Sequence, residues 1–133
     1  MKADEMSRKY LALQADGAVG KMELNQEIAA ALERLPEDPS LYFDLGEAHL
    51  LIPLEQLVNA RMRERGIISA NRYMLASARG KQEKRKPLTV HALGNGLWLV
   101  VDGNSTLLNA RHSNWRAVPC TTVDKPTWDP SSA

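Results

Sequence analysis

Two strand-forming runs, residues 88–92 and 97–101, flank Gly94, Asn95 and Gly96, and no other stretch of the chain restricts the fold as strongly. Glycine and asparagine tolerate the positive φ that a tight hairpin demands, so the spacing predicts an antiparallel pair of strands. The second run passes through Asp102 and Gly103 into residues 104–112, whose composition is helical and whose Leu107, Leu108 and Ala110 are available for burial. A sheet with helices packed on it follows, and the expected fold class is α+β.

The remaining segments fill in around that unit. Residues 3–15 place Met6, Tyr10, Leu11 and Leu13 near helical spacing before Gly17 and Gly20 interrupt it. Residues 22–35 repeat the pattern with Met22, Leu24, Ile28, Ala31, Leu32 and Leu35, and Pro36 supplies the stop. Such a helical hairpin, with one apolar stripe on each helix, packs on a neighbouring domain or on a partner. An ordered connection anchored by Leu41, Tyr42, Phe43 and Leu45 leads to a short buried strand at 49–52, and Pro53 then opens a single helical turn at 54–58. Arg61, Arg63 and Arg65 alternate in a loop. After Gly66, residues 67–79 are helical, with Ser69 as cap, Gly80 as stop, and Met74, Leu75 and Ala78 turned inward. Residues 81–86 form a charged loop that reads by itself as a solvated linker. Trp115 covers the core, residues 117–123 make a last strand around Pro119, and the end of the chain is a loose tail. The 133 residues suit one domain with an appendage: a helical extension over 1–47, the domain over 48–123, and a flexible tail over 124–133.

Charge is unevenly spread behind a formal net of +1. Residues 1–60 carry five Lys/Arg against eleven Asp/Glu, whereas residues 61–86 carry nine against two. So dense a basic block implies either an anionic ligand or an internal match to the acidic N-terminal part. Cys120 is the single cysteine, so no internal disulfide or zinc ribbon is available, and a reducing cytoplasm is the expected location. No apolar run is long enough to cross a bilayer, and Lys2, Asp4, Glu5, Arg8 and Lys9 break up any secretory leader, so neither a membrane nor export is expected.

The best candidate for chemistry is the strand-to-helix turn Asp102, Gly103, Asn104, Ser105 and Thr106. The first turn of a helix leaves N–H groups without intrahelical acceptors, and the macrodipole adds positive charge, so a phosphate is stabilised there. Gly103 permits close backbone approach, Asn104, Ser105 and Thr106 offer side-chain donors, and Asp102 suits a base or a metal-orienting carboxylate. The same letters also write an ordinary capped helix, with Asn104 satisfying the backbone. His49, His91 and His112 have no metal-ligand spacing, and no metal site is expected. His91 reads as a cross-strand surface residue, and His112 sits favourably near a helix end.

Residues 52–123 resemble the ParB/sulfiredoxin superfamily in an ordered series: Ile52 to Leu57, the arginine loop, the helix ending before Pro87, the hairpin, Val100 to Thr106, then Trp115 and Ala117 to Pro119. That superfamily includes CTP-binding partition proteins, ATP-using sulfinic-acid reductases and a free-serine kinase. The resemblance implies nucleotide phosphate binding, with Gly103 matching the family glycine, Asn104 and Ser105 at phosphate-contacting positions, and Asp102 at the acidic position of the kinase-like branch. Two departures matter. The reductases carry a cysteine where this chain has Asn104, so their thiol chemistry is excluded. The other branches end the motif in arginine, where Thr106 brings no charge, leaving Arg61, Arg63 or Arg111 as replacement cations.

Three functions follow. The first is binding of a nucleotide or other phosphate-bearing small molecule at 102–106, with phosphoryl transfer or nucleoside triphosphate hydrolysis assisted by magnesium if the site is catalytic. The second is nucleic-acid association or nuclease-like activity through the basic segment 61–86, including Lys84, Arg85 and Lys86, without a helix-turn-helix reader. The third is a non-catalytic interaction module whose N-terminal helices join a twin subunit or a partner protein.

Overall fold

A computed structural model describes residues 26–46, 49–60 and 64–123. The described chain forms helices α1 (Gln26–Ala31) and α2 (Pro39–Tyr42), strand β1 (Leu50–Pro53), a 3₁₀ turn (Leu54–Gln56) and strand β2 (Leu57–Asn59). Helix α3 (Glu64–Ala78), the hairpin strands β3 (Leu88–Gly94) and β4 (Leu97–Asp102), helix α4 (Asn104–His112) and strand β5 (Ala117–Thr122) complete it. The fold is α+β, built on a five-stranded mixed sheet of order β1-β5-β3-β4-β2.

The hairpin forms as its sequence requires. Asn95 and Gly96 both take positive φ, 56° and 77°, which matches the turn twist to the strand twist. β4 pairs in parallel with β2 on its other side, and β3 pairs in parallel with β5. Pro119 is tolerated inside the sheet because β5 meets β3 only from Cys120 onward, past the residue that has no N–H to give.

One layer of helices covers the sheet. Tyr42, Phe43, Ile52, Leu57, Met74, Leu88, Val90, Val100, Leu107 and Val118 share one buried cluster, closed by Trp115. The Trp115 ring lies 5.2 Å from Tyr42 and 6.5 Å from Phe43, and its indole N–H donates to the Leu35 carbonyl at 2.7 Å. Leu35, Tyr42 and Phe43 therefore share a core with the sheet. Leu32 packs against Ile67 of α3 and Leu108 of α4, so the described end of the N-terminal helical stripe is buried on its own chain. The expected helix at 3–15 and the tail lie outside the described residues.

Several expectations need correction. The segment 54–58 is not one helical turn: it splits into a 3₁₀ turn and strand β2, whose parallel pairing with β4 supplies the hydrogen bonds that a helix would have made internally. β1 is not a buried strand, because it lies at the sheet edge with Leu50 and Leu51 52% and 59% exposed. Helix α3 starts at Glu64, so Gly66 and Ser69 lie inside it rather than before it. Its predicted end is as expected. Gly80 has φ +72°, its N–H donates to Ser77 O, and the Lys81 N–H donates to Ala76 O, the paired bonds that close a helix through glycine.

Candidate functional site

β4 ends at Asp102, and Gly103 turns the chain with φ +100° and ψ +20° into α4. Glycine is required here on two counts. An L side chain rarely adopts that backbone conformation, and a Cβ would lie 2.7 Å from Leu88 Cγ. The turn is thus pressed against the start of β3, which keeps the beginning of α4 at the sheet end.

Among the described residues no side chain caps the start of α4. Its first internal bond runs from the Leu107 N–H to Gly103 O at 3.0 Å, so the N–H groups of Asn104, Ser105 and Thr106 precede the helical ladder. Asn104 does not satisfy them. Its side chain is buried, where Nδ2 donates to Val100 O at 3.0 Å and Oδ1 accepts from the Ala60 N–H at 2.8 Å and from Asn59 Nδ2 at 3.1 Å. Only the Asn104 backbone, and not its amide side chain, is left to meet a ligand.

A second set of buried amides fixes the direction of α4. Asn109 Nδ2 donates to Ser105 O and to Ile67 O, its Oδ1 accepts from Asn71 Nδ2 at 2.8 Å, and Asn71 also holds both backbone groups of Glu33. Helices α3 and α4 are clamped together by these bonds, which places Gly66 in the first turn of α3 beside the start of α4.

Gly66, Arg85, Asp102, Gly103, Asn104, Ser105 and Thr106 line one cleft of about 230 Å³. Arg85 supplies its cation. The Arg85 backbone is held at both ends, its N–H donating to Tyr42 O at 2.8 Å and its carbonyl accepting from the Asp44 N–H at 2.7 Å. Its side chain crosses the Tyr73 ring at 5.1 Å and donates from Nη1 to Thr106 Oγ1 at 3.0 Å. Burial pulls the guanidinium below its usual pKa, opposed by Tyr73 and Asp102, and a guanidinium stays charged through such a shift. Asp102 is exposed at the rim.

The candidate residues therefore separate. Asp102, Gly103, Asn104, Ser105 and Thr106 do come together in one cleft. Arg61 and Arg63 lie outside the described residues. Arg111 sits at the opposite end of α4, where Nη2 donates to Leu57 O at 2.6 Å and burial lowers its pKa. Lys84, Arg85 and Lys86 do not present one basic face: Lys84 Nζ donates to Leu41 O at 2.7 Å, Arg85 turns into the cleft, and Lys86 is exposed. Among the described residues no group of three or more His, Cys, Asp or Glu side chains converges as for a metal.

Gly66 and Tyr73 are not among the expected site residues, and Arg85, expected with Lys84 and Lys86 to meet nucleic acid, stands instead in this cleft. For Arg85 a signal existed. In a hairpin the residues that begin the first strand lie beside those that end the second, so a cation just before β3 falls next to 102–106. No protein-family model matches this chain, and no curated protein matches it.

Proposed function

We propose that this protein binds a phosphate-bearing small molecule, of the nucleotide or sugar phosphate kind, in the cleft at residues 102–106. The observation that carries the reading is the start of α4: three successive amides that no side chain among the described residues caps, beside a guanidinium already held in place. Free N–H groups and the helix dipole stabilise an oxyanion, and a fixed arginine adds charge-assisted bonds with little ordering cost. Ser105 contributes a hydroxyl to the same cleft, and the buried Thr106 hydroxyl orients Arg85. The resemblance to the ParB/sulfiredoxin superfamily, where this turn meets nucleotide phosphates, favours the same site. Arg85 replaces the arginine that Thr106 does not supply.

Magnesium fits the donor set, since it is commonly held by one or two carboxylates together with substrate phosphates and water. Asp102 would be its protein ligand, and the ion would neutralise charge on the phosphate. No observation favours the nucleic-acid reading over this one, because two of its three named lysine and arginine side chains are engaged within the protein.

Isothermal titration with inorganic phosphate, ATP, CTP and GTP, with and without magnesium, tests the proposal. Saturable binding of at least one of them, lost in Arg85→Gln, is the expected result. No heat from any of them at millimolar concentration overturns it.

A further inference from the structure

The phosphate cleft opens into a larger one of about 510 Å³, and the two share Arg85, Asp102, Gly103 and Thr106. An isolated phosphate needs only the first. The second, of a size usual for small-molecule sites, is also lined by Tyr73, Lys86, Thr89 and Thr121.

Three of its lining residues form a row across neighbouring strands. Thr121 of β5 pairs with Thr89 of β3, and Thr89 pairs with Asp102 of β4. The last pairing depends on an irregularity: the register shifts between Thr89 and Val90, so that Asp102 stands opposite Thr89 where regular pairing from Val90 and Val100 would bring Val101. A bulge of this kind re-aims one residue and recurs beside functional sites. Here it brings Asp102 opposite Thr89, one strand away from Thr121, where the two clefts share their lining. Among the described residues, the Thr89 and Thr121 side chains have no hydrogen-bond partner. Hydroxyls and a carboxylate at strand spacing, about 4.8 Å apart, suit a chain of ligand hydroxyls, which both donate and accept. Pro87 and Leu88 line the same cleft, so its wall sets apolar surface beside these polar groups, as a sugar ring with its carbon face requires.

We infer that the ligand's phosphate is esterified to a polyhydroxylated carbon skeleton of the pentose type, seated on the Thr121–Thr89–Asp102 row. The inference rests on the phosphate reading above. The phosphate meets the amides of Asn104 to Thr106 and Arg85, and the sugar hydroxyls extend toward β5. Free sugar phosphates and the ribose phosphate part of nucleotides share this chemistry.

Titration of the full chain with inorganic phosphate, ribose 5-phosphate, 2-deoxyribose 5-phosphate and AMP separates the two claims. Ribose 5-phosphate is expected to bind at least tenfold tighter than phosphate. The Thr89→Val/Thr121→Val variant, which keeps the side-chain shapes, should lose that gain while holding phosphate unchanged, with an unaltered thermal melt as the control for folding. AMP equal to ribose 5-phosphate would identify a free sugar phosphate, and tighter AMP a nucleotide; either supports the row. Equal affinity for phosphate and ribose 5-phosphate overturns the sugar subsite and leaves the phosphate site standing. Failure of all four ligands to bind overturns both.

Discussion

Arg85 Nη1 donates to Thr106 Oγ1 at 3.0 Å, joining the segment before β3 to the first turn of α4. The bond holds a cation where the helix start needs one, and Thr106 accordingly acts as an orienting group rather than as a charge. Arg85→Gln should weaken phosphate binding by roughly tenfold or more, the usual worth of a hydrogen bond to a charged group. Thr106→Val frees the guanidinium without removing it and should cost less, about threefold to tenfold. Titration calorimetry on both variants checks the order. Equal losses would mean that Arg85 acts only through Thr106.

Gly103 faces Leu88 so closely that no side chain fits between them. Gly103→Ala would place a methyl 2.7 Å from Leu88 Cγ and force a non-glycine residue to φ +100°. Overpacking of this kind typically costs about 1–3 kcal/mol. A urea melt should show the loss, and because the turn must move, phosphate binding should weaken beyond what instability explains. Gly94→Ala offers a contrast within the same hairpin: its φ is also positive, but a Cβ there meets nothing within 4 Å, so strain acts without a clash.

The hairpin, α4 and the glycine stop after α3 are legible in the sequence because each is written locally: positive-φ residues at a turn, a polar helix start, a terminating glycine. β2 is not, since three residues after a proline turn carry no period of their own and become a strand only by pairing with β4. The start of α3 is hidden for a related reason. Gly66 reads as a break, yet a glycine costs a helix only about 1 kcal/mol, which packing of Ile67 and Met74 outweighs. At the site, the backbone at 102–106 is readable, but the inward turn of the Asn104 side chain depends on Asn59 and Ala60 arriving from β2. Arg85 looks like part of a solvated linker until its backbone is seen bridging Tyr42 and Asp44.

Asn71 and Asn109 bind each other at 2.8 Å in the interior, and through them Glu33, Ile67 and Ser105 are tied together. Truncating either to alanine leaves buried partners unsatisfied, a loss of about 1–3 kcal/mol for each such group. The double variant should be less damaging than the two single losses added, with a coupling of about 1–2 kcal/mol in a double-mutant cycle. Strict additivity in denaturant melts would show that the two amides do not act as one clamp.

Cys120 is fully buried on β5, and burial pushes its thiol up from the ordinary 9.0 to about 12. The folded state therefore keeps a proton that the unfolded chain has released once the pH exceeds about 9. It follows that this thiol's contribution is present in full below the unfolded pKa and is lost progressively as the pH rises from about 9 to about 12. Urea midpoints measured at pH 8 and pH 10 should fall more steeply for the native chain than for Cys120→Ala, which has no thiol to titrate. Because the thiolate is the reactive species, a disulfide reagent at pH 8 should label Cys120 slowly in buffer and rapidly in denaturing urea. Rapid stoichiometric labelling of the folded protein would contradict the burial of β5 between β1 and β3.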